Sequence, residues 1–154
     1  MDNKTTILIK NTQQKIKINI GEIKQNIQKM LTVAGYSDFD ISIWFTTNAT
    51  IKKFNKKYRK KDISTDILSF PYHTKLEPGQ KIIPKSSEDK NLGDLIISLE
   101  RVKKDAAQLD QTFKNRLNII IAHGITHLFG YDHKTNSQHL KMSKIEKKLL
   151  KSLE

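Results

Sequence analysis

Cysteine is absent from the chain. Neither a disulfide framework nor a thiolate metal site is open to it, so any metal ligand must be His, Asp, Glu or backbone oxygen. Proline occurs three times and tryptophan once. Acidic residues are also scarce: 16 Asp and Glu stand against 28 Lys and Arg, a formal net charge of +12. That surplus suits a polyanion such as RNA or DNA, and equally a surface solvated by lysine. Only three of the cations are arginines, Arg59, Arg101 and Arg116, which makes them the more telling ones. No apolar run approaches the roughly 20 residues that span a bilayer, and the first ten residues lack the apolar core of a secretion signal. The expectation is a soluble protein of the reducing cytoplasm with no membrane partner. Its 154 residues suit one domain, 1–154, with a real core.

What is present is a succession of short periodic segments. Residues 6–10 and 15–20 read as strands of a hairpin, the second because Ile16, Ile18 and Ile20 alternate with polar residues. A helix is predicted over 22–34, stopped by Gly35, and a strand over 40–46 with Ile41, Ile43 and Phe45 on one side. Residues 49–60 form a basic amphipathic helix whose buried stripe is Ile51, Phe54 and Tyr58. Its lysines suit phosphates or simply solvent, while Arg59, at the helix end, is better placed to reach a cleft. Strands follow at 66–70 and 92–98, separated by an irregular stretch, 72–91, long enough to be either mobile or functional. Helices are expected at 99–109, at 111–129 with Asp110 as N-cap, and at 136–152. This is an α+β fold: a mixed sheet of four or five short strands packed with helices.

Three of the five histidines lie in one stretch, Ala122-His-Gly-Ile-Thr-His-Leu-Phe-Gly-Tyr-Asp-His133. On a helix, His123 and His127 stand on one face with Cβ atoms about 5–6 Å apart. On a strand they would be roughly 13 Å apart, too far for one ion. Gly130 offers a helix stop, after which the chain can turn and return His133. Three imidazoles and an open position describe a catalytic zinc site. The spacing is that of the metzincin motif His-Glu-x-x-His-x-x-Gly-x-x-His, except that Gly124 replaces the Glu that serves as general base in those peptidases. A peptidase mechanism of that design lacks its proton acceptor here.

The stretch more closely resembles the signature of the YbeY family of zinc-dependent endoribonucleases. Asn55-Lys-Lys-Tyr-Arg59, Thr65-Asp-Ile-Leu-Ser-Phe-Pro71, Leu92-Gly-Asp-Leu-Ile-Ile-Ser98 and Met142-x3-Glu146 resemble further segments of that family in the same order. The likeness covers roughly residues 40–150. Thr126, and Lys114 to Arg116, depart from the family's usual residues. The resemblance implies one zinc per chain held by His123, His127 and His133, with Arg59 as the functional arginine. It further implies single-stranded RNA as substrate, a role in rRNA (16S 3′-end) maturation and ribosome quality control, and a ribosome or ribosomal proteins as partners. Physical chemistry agrees, because phosphodiester cleavage builds negative charge that an Arg beside a metal stabilises. The alternatives are a zinc peptidase and a non-catalytic ribosome assembly factor with a structural zinc. A fourth protein ligand, such as Asp132, would favour the structural role. Asp132 otherwise orients a ligand histidine or caps a turn. Tyr131 reads as packing, Asp66 and Asp94 as strand openers, and His73 and His139 as surface residues. Glu146 lies beside the apolar stripe of the last helix with no cation among its i±3 and i±4 neighbours, so a tertiary partner is expected, a backbone donor or a residue near the metal loop, the alternative being a free surface carboxylate.

Overall fold

The computed structural model describes residues 6–154. Strand β1 (Ile7–Asn11) is followed by helix α1 (Ile20–Ala34), β2 (Asp40–Thr46), α2 (Asn48–Arg59), β3 (Ile67–Pro71), β4 (Asn91–Ser98), α3 (Leu99–Gln108), α4 (Phe113–Leu128) and α5 (Asn136–Lys151). The sheet order is β1-β2-β4-β3. β1 and β4 both run parallel to β2, and β3 closes the edge antiparallel to β4. Among the described residues no helix is long and apolar enough to cross a membrane.

Alternation places Ile41, Ile43 and Phe45 of β2 on the face where α1 and α4 pack, each at most 1% exposed. β4, flanked by strands on both sides, buries Leu95 and Ile97 on that face and Ile96 on the other. Its stretch from Leu95 to Ile97 is accordingly an unbroken apolar run, as expected where a strand is covered twice. Among the described residues the opposite face receives only α2, which packs Ile51 onto Leu68 and Ile96. One residue expected in the buried stripe of α2 is not buried: Tyr58 is 52% exposed.

The hairpin expected at 6–20 does not form. β1 pairs with β2, and residues 15–19 cross to α1 without a partner strand. The buried Gln13 explains this locally. Its side-chain oxygen accepts from the Ile16 N–H at 2.9 Å and its amide donates to the Ile16 carbonyl at 2.7 Å. The backbone groups a ladder would have used are thereby satisfied within the loop. Ile16 and Ile18 still pack on the core, so the alternation is genuine but records an extended crossing. The start of α4 also differs. Thr112, whose side chain accepts from the Asn115 N–H, is the N-cap. Asp110 instead takes a left-handed conformation, φ 53, in the turn that follows α3.

Candidate metal centre

α4 lies on the β3–β4 edge of the sheet because position 124 carries no side chain. A Cβ there would fall 2.5 Å from Ile67 Cδ1 and 2.9 Å from Leu95 Cδ2. The close approach sets the flank of the helix, and with it His123 and His127, beside the outer edge of β3. Thr126, one of the departures from the family pattern, is fully buried, and its hydroxyl donates to the Ala122 carbonyl at 2.7 Å. It is therefore satisfied within the helix. After Leu128 the chain turns through Gly130, φ 93. A Cβ on Gly130 would come within 2.9 Å of the Leu76 backbone oxygen, so the long 72–90 segment rests on the turn that returns His133. That segment is ordered against the core, with Ile82 buried and its N–H donating to the Tyr36 hydroxyl.

His123, His127 and His133 come together as predicted, with one ring nitrogen from each within 4.8 Å of the others. The outer nitrogens define their protonation. His123 Nδ1 lies 3.0 Å from Glu146 Oε1, and His127 Nδ1 lies 2.9 Å from the Tyr131 carbonyl. Both partners accept only, so each Nδ1 carries the proton and donates. In the neutral rings the two Nε2 atoms are then bare, yet they face one another at 3.1 Å. Two lone pairs so placed repel unless a cation lies between them. Tetrahedral coordination at about 2.0–2.1 Å sets ligand nitrogens roughly 3.3 Å apart, close to the observed spacing. The donor set fits a divalent metal ion. Burial, together with the neighbouring His123 and His133, lowers the His127 pKa below its ordinary value and keeps that ring neutral, as a ligand must be.

These histidines line a cleft of ≈ 640 Å³ together with Arg59, Lys61, Asp66 and His73. Asn55, buried, donates from its side-chain amide to the Ile63 carbonyl and pins the turn after α2. Arg59 thereby reaches the edge of β3, where its guanidinium donates to the Ser69 carbonyl at 2.9 Å and lies 5.6 Å from the Phe70 ring. Asp132 does not touch a histidine ring. Its carboxylate accepts from the His133 N–H, which is the main cause of its lowered pKa, so it caps the turn. Burial raises the Tyr131 phenol. His73 is half-buried rather than a free surface residue, with Nε2 2.8 Å from the Asp89 carbonyl. His139 is exposed as expected. Glu146 has the tertiary partner its sequence context called for, but nothing in the sequence named that partner as His123. The carbonyls of Tyr131 and Ser69 carry no sequence signal at all.

A mixed four-stranded sheet on which α4 and the turn after it bring three histidines together, at a cleft that also holds Arg59 and Lys61, defines an α+β protein with a cluster that could hold a metal ion. The family model described as Endoribonuclease YbeY matches residues 8–154. The chain is 30% identical over 148 residues to the human Endoribonuclease YbeY, covering 96% of this chain and 88% of that protein. It is 35% identical over 158 residues to the Endoribonuclease YbeY of Thermodesulfovibrio yellowstonii, covering 93% and 94%. A solution structure from Thermotoga maritima shares the fold with a TM-score of 0.59 at 22% identity, covering 96% of this chain and 91% of that one. The chain belongs to the Endoribonuclease YbeY family, whose named members are hydrolases of RNA phosphodiester bonds.

Proposed function

We propose that this chain is a zinc-dependent endoribonuclease that cuts single-stranded RNA in the cytoplasm, in 16S rRNA 3′-end maturation and ribosome quality control. His123, His127 and His133 hold one zinc per chain, and Arg59 is the catalytic arginine. The observation that carries the reading is the pair of bare Nε2 atoms 3.1 Å apart in a cleft that Arg59 also lines.

When bound, zinc supplies Lewis-acid activation and lowers the pKa of a coordinated water toward 7. The protein does the rest. Glu146 and the Tyr131 carbonyl hold two rings in one tautomer and orientation, which raises ligand basicity and fixes geometry. The Arg59 fork has N–H donors beyond the one held by Ser69, and these suit non-bridging phosphoryl oxygens as charge builds there.

Two rivals fit less well. A structural zinc needs a fourth protein ligand, and among the described residues the metal-ligating group has three members. A peptidase needs a carboxylate base beside the ion. Position 124 faces Ile67 and Leu95 instead, and Glu146 is engaged on the Nδ1 side of His123. The deciding experiment is cleavage of single-stranded RNA by metal-replete protein, with and without chelator. Cleavage that chelation abolishes and added zinc restores supports the proposal. Cleavage indifferent to chelation refutes it.

A further inference from the structure

The sheet face that α2 leaves partly open carries a second surface. Strand register sets one row of side chains across it: Leu8, Ser42, Asp94 and Phe70. Between this row and α2 runs a groove of ≈ 730 Å³. Its aromatic rings form a continuous file. Trp44 meets Phe54 edge-on at 5.2 Å, Phe54 stacks on Tyr58 at 6.0 Å, and Tyr58 meets Phe70 edge-on at 5.4 Å. A cation stands beside three of the four rings: Lys10 Nζ 4.7 Å from Trp44, Lys57 Nζ 5.2 Å from Tyr58, and the Arg59 guanidinium 5.6 Å from Phe70. Leu8 and Tyr58 are 61% and 52% exposed.

The chemistry selects the occupant. Aromatic faces for bases, interleaved with Lys and Arg for phosphates, are the parts of a single-strand nucleic-acid platform. The rim formed by α2 is strongly cationic, and among the described residues only Lys56 of its lysines has a carboxylate partner, Asp62 at 3.9 Å. An apolar protein segment would gain nothing from that rim. Asp94, exposed in the middle of the row, repels phosphate but accepts N–H groups from a base edge, as carboxylates do from cytosine. The strand would therefore lie with bases inward and backbone along the lysines.

The groove also joins the cleft. Ser69 lines the three-histidine cleft while its neighbour Phe70 lines the groove, on opposite sides of edge strand β3. Arg59 touches both residues. We propose that this aromatic groove is the track along which single-stranded RNA flanking the cut is held, passing Arg59 to reach the three histidines. The inference rests on the endoribonuclease reading and adds the substrate path to it.

The test uses the full-length protein and its Tyr58→Ala and Lys10→Glu variants, both altered at exposed positions and checked by thermal melting. Steady-state cleavage is measured on single-stranded RNAs of four and twelve nucleotides. Each variant is expected to raise KM for the long RNA about tenfold, the loss of roughly one stacked base or its flanking phosphate contact. The turnover number and the KM for the short RNA stay within about twofold of the parent, because the short RNA does not reach the groove. Folded variants with unchanged KM for the long RNA overturn the proposal, as does an equal change for both lengths. A parent that cuts no RNA would defeat the endoribonuclease reading instead. The groove is then judged separately by fluorescence anisotropy with labelled twelve-nucleotide RNA. Weaker binding by Tyr58→Ala supports it and unchanged binding overturns it.

Discussion

The two faces of the sheet are built to opposite specifications. On one, α1 and α4 cover the strands with a continuous apolar core, α5 packs against both helices, and α4 is drawn close at Gly124. On the other, α2 alone packs three buried residues, Ile51, Leu68 and Ile96, and leaves aromatic rings and lysines in solvent. The first face fixes atoms: two imidazole nitrogens 3.1 Å apart demand a helix that cannot shift. The second tolerates a chain of varying sequence, for which stacking surfaces and mobile cations suffice. Edge strand β3 separates them, and Arg59 at its rim belongs to both. The lesson is that rigid chemistry and adaptable recognition are divided between the faces of one small sheet.

The sharpest way to break this division is on the rigid side. His127→Ala should reduce bound zinc from about one per chain to near zero, since two imidazoles hold the ion poorly, and cleavage should fall to the level of chelated protein. Metal analysis showing undiminished zinc would remove the site. Arg59→Ala, at the boundary, should keep zinc and fold but lower the turnover number on single-stranded RNA by about 100-fold, as loss of a transition-state donor does. Cleavage at the parent rate would end its catalytic assignment. Glu146→Gln keeps the shape but replaces a carboxylate acceptor with an amide. Zinc affinity should drop about 10- to 100-fold, read by competition with a chromophoric chelator, while binding of long RNA in the groove is unaffected. The smallest effect belongs to a contact outside both faces. Asp38 accepts from Lys90 at 2.6 Å where β2 and β4 begin, and that hydrogen bond lowers its pKa below 3.8. A depressed carboxylate stabilises the fold in full above its unfolded value and loses that contribution as pH falls through the folded one. Asp38→Asn should therefore cost at most about 1 kcal/mol at neutral pH, given the pair's partial exposure. Melting curves of variant and parent should converge once pH falls below the lowered folded value of Asp38, and zinc content at neutral pH should be equal in both. A gap that persisted there would show that packing, not charge, makes the contact.

Glu146 marks how far the sequence reaches. None of its i±3 and i±4 neighbours is a cation, and that absence implied a partner elsewhere. Which residue filled the role depended on how α5 lies on α4, which no local pattern encodes. The failures have the same origin. Ile16, Ile18 and Ile20 alternate as a strand would, but periodicity reports burial, and strand formation needs a neighbour. Gln13 closed the loop before one was available. Tyr58 fitted the apolar stripe of α2, yet in the last turn of the helix it meets only the rings of Phe54 and Phe70 and stays half in solvent.

By itself the sequence determined the elements that are local in cause. These include the apolar periods of α1 and β2, the i,i+4 histidine pair, the turn after it, and the lack of any thiolate to compete for the ligand role. Fold class and the three-histidine cluster follow from these, because helical spacing and glycine stops act within a few residues. Tertiary structure alone decided the tautomer of two imidazoles, through a carboxylate 23 residues away on α5 for His123 and the Tyr131 carbonyl for His127. It alone placed Arg59 at the rim of both the cleft and the aromatic groove. Hydrogen bonds to backbone and contacts across a sheet edge depend on the path of the whole chain, and that path is a property of packing.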